Sequence, residues 1–217
     1  MEDLLLVVVI LTALAFDFTN GFHDTANAVA TSVSTRALTP RQAVTVAALA
    51  NLAGAFVTTA VAKTVGQGII DTGLATQQTI LAALLGAIVW NLFTWYLGLP
   101  SSSSHALFGG LIGATWVFAG SGAINFSTTV SKVLVPLALS PIVAGVVALT
   151  ATAVVYRLAA RGDRRTLNRG FKAAQVVSAS MVALAHGTND AQKTMGVITL
   201  TLIPWGCCRR TPPRRCG

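Results

Sequence analysis

Charged residues are scarce in this sequence. Asp, Glu, Lys and Arg make up 10% of its 217 residues, whereas soluble domains carry about 25%. Hydrophobic residues make up 53%, and the few charges crowd into short segments between long apolar blocks. A soluble core of this size would not need so much apolar sequence. The composition therefore excludes an ordinary soluble domain and predicts an all-α polytopic membrane protein.

Several other features are absent. The cysteines, Cys207, Cys208 and Cys216, lie close to the C-terminus without a paired framework or metal spacing. No spacing resembles a zinc signature, and no G-x-S-x-G nucleophile elbow appears. The net charge of +8 would suggest nucleic acid in a soluble domain, but these basic residues lie in loops between apolar segments. We therefore predict no metal site and no nucleic-acid partner.

The apolar blocks define the predicted membrane spans. The first block lacks the basic flank of a signal peptide, because Glu2 and Asp3 precede it, so we interpret it as an uncleaved helix. A second apolar stretch at 26–35 makes this region too long for one straight helix. At about 20 apolar residues per crossing, the sequence predicts about six transmembrane segments with broken or re-entrant helices: 4–20, 43–62, 79–98, 105–119, 133–156 and 174–204.

The loop at 157–172 sets the predicted orientation. It carries six basic residues and one Asp, so the positive-inside rule places it in the cytoplasm. Counting back, Arg36 and Arg41 also face the cytoplasm, and the N-terminus lies outside. The predicted location is the cytoplasmic membrane, with several passes.

Two short segments suggest an internal repeat. Residues 20–25 read N-G-F-H-D-T and residues 186–191 read H-G-T-N-D-A, so each has a Gly followed three residues later by Asp. Five predicted crossings separate them, so the two helices would run in opposite directions. Like motifs in this arrangement are typical of inverted-topology repeats. We predict a first transmembrane repeat at 1–156, a basic loop at 157–172 and the start of a second repeat at 173–205.

Polar residues in these two segments predict a cation site. Asp24 and Asp190, with Asn27 and Asn189 nearby, supply hard oxygen ligands at membrane depth, where ionisable residues are costly and usually functional. Such ligands suit Na⁺, or a carboxylate that takes up a proton. The segments 20–21 and 186–189 are expected to weaken their helices, and broken helices present their ends to buried ligands; Asn20 belongs to the first of them. The alternative is that each Asp merely bonds a neighbouring helix.

The stretch P-S-S-S-S-H at 100–105 predicts an anion site. Four hydroxyls and free backbone N–H groups at a helix start can hold an oxyanion such as phosphate. Proline fits at the entry, because its missing N–H would be unpaired there anyway. The alternative is an ordinary Ser-rich loop.

The histidines and Lys193 leave several roles open. His23, His186 and His105 could relay protons or satisfy buried hydrogen bonds. Lys193 follows Asp190 by three residues on one helix face, so it pairs with that Asp or meets an anion.

A second class of function is an intramembrane hydrolase that uses Ser104, His105 and an Asp. It requires a serine within hydrogen-bond reach of a base. Neighbouring positions in the sequence do not provide that geometry.

Three stretches together resemble the inorganic phosphate transporter (Pit) family. They are N-G-F-H-D-T-A-N-A-V-A-T-S-V-S-T-R-A-L at 20–38, P-S-S-S-S-H at 100–105 and A-H-G-T-N-D-A-Q-K-T-M-G-V at 185–197. The likeness extends from residue 1 to about 203. It implies a secondary transporter of two inverted repeats that moves phosphate by symport with a cation.

The resemblance leaves several points open. The coupling cation is H⁺ or Na⁺, and the anion is phosphate or, as in some members of the family, sulfate. Carriage of phosphate as a divalent-metal complex and assembly as a homodimer stay open as well. No cofactor and no enzymatic activity are expected.

The resemblance also assigns roles to individual residues. It implies that the coupling cation is held by or lies beside Asp24, Asn27, Asn189 and Asp190. The expected phosphate-binding residues are Ser101, Ser102, Ser103, Ser104, Thr25 and Thr188. Auxiliary positions are Asn20, His105 and Lys193.

The end of the chain departs from the family pattern. Residues 206–217 form an Arg- and Cys-rich tail, at the point where the family continues to a second Ser/Thr-rich helix start. The predicted topology places its four Arg outside, against the positive-inside trend. We expect a truncated or frame-shifted reading, so an inactive transporter fragment is a third alternative.

Overall fold

The computed structural model describes residues 2–57, 76–160 and 163–202, and these residues form six long helices and no β-strand. The helices are α1 (Glu2–Ser34), α2 (Pro40–Ala55), α3 (Gln77–Tyr96), α4 (Ser103–Ala119), α5 (Val135–Ala159) and α6 (Arg164–Leu202). A 3₁₀ turn (Ser121–Ala123), a single α turn (Phe126–Thr129) and a π turn (Val130–Leu134) join α4 to α5. The all-α prediction is confirmed.

Three helical stretches of the described chain are long and apolar enough to cross a membrane: Asp3–Ser34, Gln77–Tyr96 and Phe126–Ala159. Helices α2, α4 and α6 overlap with predicted spans, but they are shorter or more polar than these three stretches. Predicted residues 58–62 and 203–204, the last of their spans, and the tail at 206–217 lie outside the described residues.

The structure corrects the sequence prediction at the two Asp motifs. Helix α1 continues through Asn20 and Gly21, and α6 continues through residues 186–189, so neither helix is broken there. A glycine inside a helix costs only about 1 kcal/mol relative to alanine. Leaving backbone groups without partners in a bilayer costs several kcal/mol for each group. Continuity is therefore the cheaper solution where side chains alone carry the polar function.

The described residues divide into two compact units, and both draw on α1 and α6. The first consists of the described residues within Met1–His23, Ala55–Asn125 and Thr188–Gly217, and the second of those within Asp24–Gly54 and Phe126–Gly187. The predicted boundaries at 156, 172 and 205 stay predictions.

In the first unit, α3 packs closely against α4. A side chain at Gly110 would place its Cβ 2.5 Å from the carbonyl oxygen of Ala83, so only glycine permits this approach. Thr76 caps α3, because its hydroxyl accepts a hydrogen bond from the backbone N–H of Thr79 at 3.2 Å. Leu84, Leu107 and Leu111 are fully buried. This packing fixes the start of α4, where the serine residues lie.

In the second unit, α6 approaches the backbone of α2 at Gly187, where a Cβ would collide with the carbonyl group of Asn51. Near the end of α1, the hydroxyl of Thr35 contacts Gln175 Oε1 at 2.8 Å. Helix α5 differs from α1, α2 and α6, because none of its residues is buried.

Candidate functional site

Serine side chains organise the start of α4. Ser102 is the N-cap, and its Oγ accepts a hydrogen bond from the backbone N–H of His105 at 3.4 Å while lying 2.8 Å from His105 Nδ1. Ser101 Oγ accepts a hydrogen bond from Trp90 Nε1 on α3 at 3.0 Å. Ser104 is half-buried on the first turn. The predicted serine turn is therefore a capped helix start, and the hydroxyls of Ser101, Ser102 and Ser103 all have protein partners.

A groove of about 550 Å³ opens beside this helix start. Its wall combines polar groups from the turn with glycines on both helices, and it is lined by Gly86, Trp90, Ser101, Ser102, His105, Ala106, Gly109 and Gly110. The glycines leave room that larger side chains would fill. Trp90 was not predicted from the sequence, because a single indole in an apolar span gives no functional signal.

Lys193 is the most buried cationic group in the described chain, with 3% of its surface exposed. Its Nζ lies 2.7 Å from Asp190 Oδ1 and donates a hydrogen bond to Ser103 Oγ at 3.1 Å. The predicted pairing with Asp190 is confirmed. Through Ser103 the same ammonium also reaches the serine turn, so residues from two of the three predicted motifs meet at one nitrogen.

Asp17 belongs to the same group of side chains, although the sequence analysis did not single it out. It lies beside the hydroxyl of Thr194, and the charges of Asp190 and Lys193 act on it. The signal was present, because an acid in the apolar run at 4–20 is costly in a membrane.

The other predicted carboxylate, Asp24, is buried in the second unit and paired with a histidine. Its Oδ2 lies 3.5 Å from His186 Nε2, and the His186 side chain is 36% exposed. An imidazole carries a charge only when it is protonated. The sequence analysis left His186 with several possible roles, and the structure places it against Asp24.

Several buried polar atoms lack a hydrogen-bond partner among the described residues. Asn20 is 1% exposed and its Oδ1 has no partner, and the same holds for Asn91 Nδ2 and Thr115 Oγ1 in the first unit. An unmatched buried polar group costs about 1–3 kcal/mol. Such groups point to waters, ions or a ligand. Asn91 and Thr115 were missed because each is a lone polar residue in an apolar run.

The remaining predicted site residues whose side chains the structure describes are less buried than Asp24 and Lys193. Thr25 and Thr188 are half-buried and both have partners, and Asn189 is exposed. The side chain of Asn27 lies outside the part of the chain that the structure describes.

The structure meets only one requirement of the hydrolase alternative. A serine does lie within hydrogen-bond reach of His105, but it is Ser102 rather than Ser104. That hydroxyl is engaged as a helix cap. Among the described residues no carboxylate contacts His105 to orient its ring, as a nucleophile–base–acid arrangement would require.

Long apolar helices, a buried carboxylate, a buried ammonium and a serine-capped helix start are the features of a polytopic membrane protein that carries polar groups within its spans, as solute transporters do. Comparison with known proteins narrows this class. The family model described as the phosphate transporter family matches residues 20–166 and 158–211. The chain belongs to the phosphate transporter family.

The descriptions of individual relatives agree with this family. The chain is 53% identical over 211 residues to a probable low-affinity inorganic phosphate transporter of Mycobacterium bovis, covering 97% of this chain and 51% of that protein. It is 53% identical over 189 residues to a protein of the same description from Streptomyces halstedii, covering 86% and 88%. The chain thus spans about half the length of the first of these relatives.

A solved structure described as the sodium-dependent phosphate transporter matches with a TM-score of 0.83. The match covers 95% of this chain and 69% of that one, at 20% identity. This likeness shows the fold alone.

Proposed function

We propose that this chain acts, as a whole or as part of a larger transporter, in moving inorganic phosphate across the cytoplasmic membrane together with a cation. The observation that carries the proposal is the contact of Lys193 Nζ with Ser103 Oγ. It brings a buried positive charge to a serine-capped helix start, where backbone N–H groups also favour an anion. The names of the relatives supply the identity of that anion.

Asp24 is the proposed ligand of the coupling cation. Its carboxylate is buried on α1, and a carboxylate is a poor ligand for phosphate but a good one for a small cation or a proton. H⁺ and Na⁺ both remain candidates, and carriage of phosphate as a divalent-metal complex is compatible with either. Symport, an inverted repeat, an external N-terminus and assembly of two copies complete the proposal. No observation favours sulfate as the substrate.

Labelled phosphate uptake tests the proposal in cells that lack their own phosphate transporters. The cells would express this chain, its Asp24→Asn variant and, as a matched control, Asp163→Asn, which changes an exposed Asp at the predicted cytoplasmic loop. Runs at several Na⁺ concentrations and pH values identify the cation, and added sulfate tests selectivity. We expect saturable uptake that Asp24→Asn abolishes and Asp163→Asn preserves, with equal amounts of each protein in the membrane.

Because the chain spans about half of its first relative, each variant is also expressed with the remaining part of that relative as a separate chain. Uptake that appears only with this complement would show that the chain is one part of the transporter. Normal uptake by Asp24→Asn in either format would contradict the cation role. Absence of phosphate uptake in both formats, from inserted protein, would contradict the proposed function.

A further inference from the structure

The two Asp motifs differ at one position that bears on cation binding. The first reads D-T-A-N and the second reads D-A-Q-K, so Lys193 stands three residues after Asp190, where Asn27 stands three residues after Asp24. An Asn offers an amide oxygen, which is a ligand for a hard cation, whereas a Lys offers three N–H donors and no acceptor. The substitution replaces a potential cation ligand with a cation.

The surroundings of Lys193 are those expected around a bound cation. Its Nζ is 2.7 Å from a carboxylate oxygen of Asp190 and 3.1 Å from the hydroxyl of Ser103. The charges of Asp190 and Lys193 also act on the carboxylate of Asp17, which lies beside the hydroxyl of Thr194. Carboxylate and hydroxyl oxygens are the groups that would otherwise hold a small hard cation.

Burial strengthens the argument. Lys193 is 3% exposed, so water screens its charge weakly, and a second cation at Asp190 would be repelled at short range. A buried ammonium is also expensive unless it is paired and hydrogen-bonded, and this one is both.

We propose that the Lys193 ammonium is a built-in cation that takes the place of a free coupling cation at Asp190, so that this carboxylate binds no Na⁺. The inference deepens the proposed function, on which it rests for the meaning of coupling, and it removes Asp190 from the expected ligands of a free cation. Only the first motif would then take up a cation from solution.

Binding of ²²Na⁺ to the purified full chain in lipid nanodiscs tests the inference without transport. The variants are Lys193→Asn, which restores the residue of the first motif, Lys193→Gln as a second neutral form, and Lys193→Arg, which keeps the charge. Asp190→Asn is made alone and combined with Lys193→Asn. Lys132→Asn is the matched control, because Lys132 is exposed. Size-exclusion profiles and helical circular dichroism identify the samples that are folded.

We expect the parent chain, Lys193→Arg, Lys132→Asn and Asp190→Asn to bind equal amounts of Na⁺. Folded Lys193→Asn or Lys193→Gln should gain a saturable Na⁺ site, and the double variant should lose it. Loss of bound Na⁺ in Asp190→Asn alone would overturn the inference. So would neutral variants that fold but gain no site, whatever their effect on phosphate.

Phosphate binding measured on the same samples separates the two proposals. A parent chain that binds no phosphate, either alone or with the remaining part of the relative supplied as a separate chain, would count against the proposed function and leave the Na⁺ comparison readable. If the parent chain binds phosphate and also has a Na⁺ site that depends on Asp190, the result would contradict the proposal for Lys193 and leave the proposed function standing.

Discussion

The two Asp motifs share a spacing but differ in the partner that each carboxylate has acquired. Asp24 lies 3.5 Å from a half-exposed imidazole, whereas Asp190 lies 2.7 Å from an ammonium whose side chain is 4% exposed. The first pair is long, and its positive charge depends on protonation. The second is short, and its lysine is buried. The same sequence pattern therefore gives one carboxylate an imidazole as its partner and the other an ammonium.

The glycines of the two motifs also differ in how closely neighbouring backbone approaches them. A Cβ added at Gly21 would meet no neighbouring group within 4 Å, whereas a Cβ added at Gly187 would collide with the backbone of Asn51. The second motif is thus tied to the packing of α2 as well as to Lys193.

The largest expected effect comes from Lys193→Met, which leaves Asp190 without its buried partner. Removing one member of a buried ion pair costs about 3–5 kcal/mol. We expect a large drop in the thermal unfolding midpoint of the chain in nanodiscs. Lys132→Met, at an exposed lysine, should leave the midpoint nearly unchanged. Equal midpoints for the two variants would remove the distinction between the motifs.

The next effect concerns the hydrogen bond from Lys193 to Ser103. Hydrogen bonds to charged groups contribute about 1.5–3 kcal/mol, so Ser103→Ala should destabilise the chain by about that amount. Ser104→Ala is the matched control on the same helical turn, because no contact of Ser104 with Lys193 is present among the described residues. Equal loss of stability in the two variants would contradict this contribution of the hydrogen bond between Lys193 and Ser103.

The two motif glycines provide a direct pairwise test. Gly187→Ala would force the Cβ against the backbone of Asn51, and overpacking of this kind costs about 1–3 kcal/mol. Gly21→Ala should be neutral or stabilising by up to about 1 kcal/mol, because alanine is the better helix former. Thermal unfolding of both variants checks the sign. Destabilisation by Gly21→Ala would indicate a role for that glycine beyond packing.

The smallest effect is expected for His186→Gln. The pair with Asp24 is long and its histidine is 36% exposed, and exposed pairs contribute about 0–1 kcal/mol. We expect a shift in the unfolding midpoint much smaller than that of Lys193→Met, measured under the same conditions. A loss as large as that of Lys193→Met would make the two motifs equivalent in strength.

Apolar block lengths were sufficient to predict all six helices, because a membrane helix must span a fixed thickness. The breaks at Asn20 and at 186–189 were wrongly placed, since local helix propensity was weighed without the cost of unsatisfied backbone in lipid. The pairing of Lys193 with Asp190 followed from helical spacing. Its contact with Ser103, 90 residues away in sequence, could not be predicted, because no local pattern encodes which helices meet.

Helix α5 has a consequence for the lipid around the chain. Its 25 residues extend about 37 Å at 1.5 Å per residue, which exceeds the hydrocarbon thickness of about 30 Å. None of them is buried, Pro141 lies inside the helix, and the hydroxyl of Ser140 turns back to the carbonyl of Pro136. A long helix accommodates such a mismatch by tilting or bending. Bilayer thickness should therefore influence the tilt of α5.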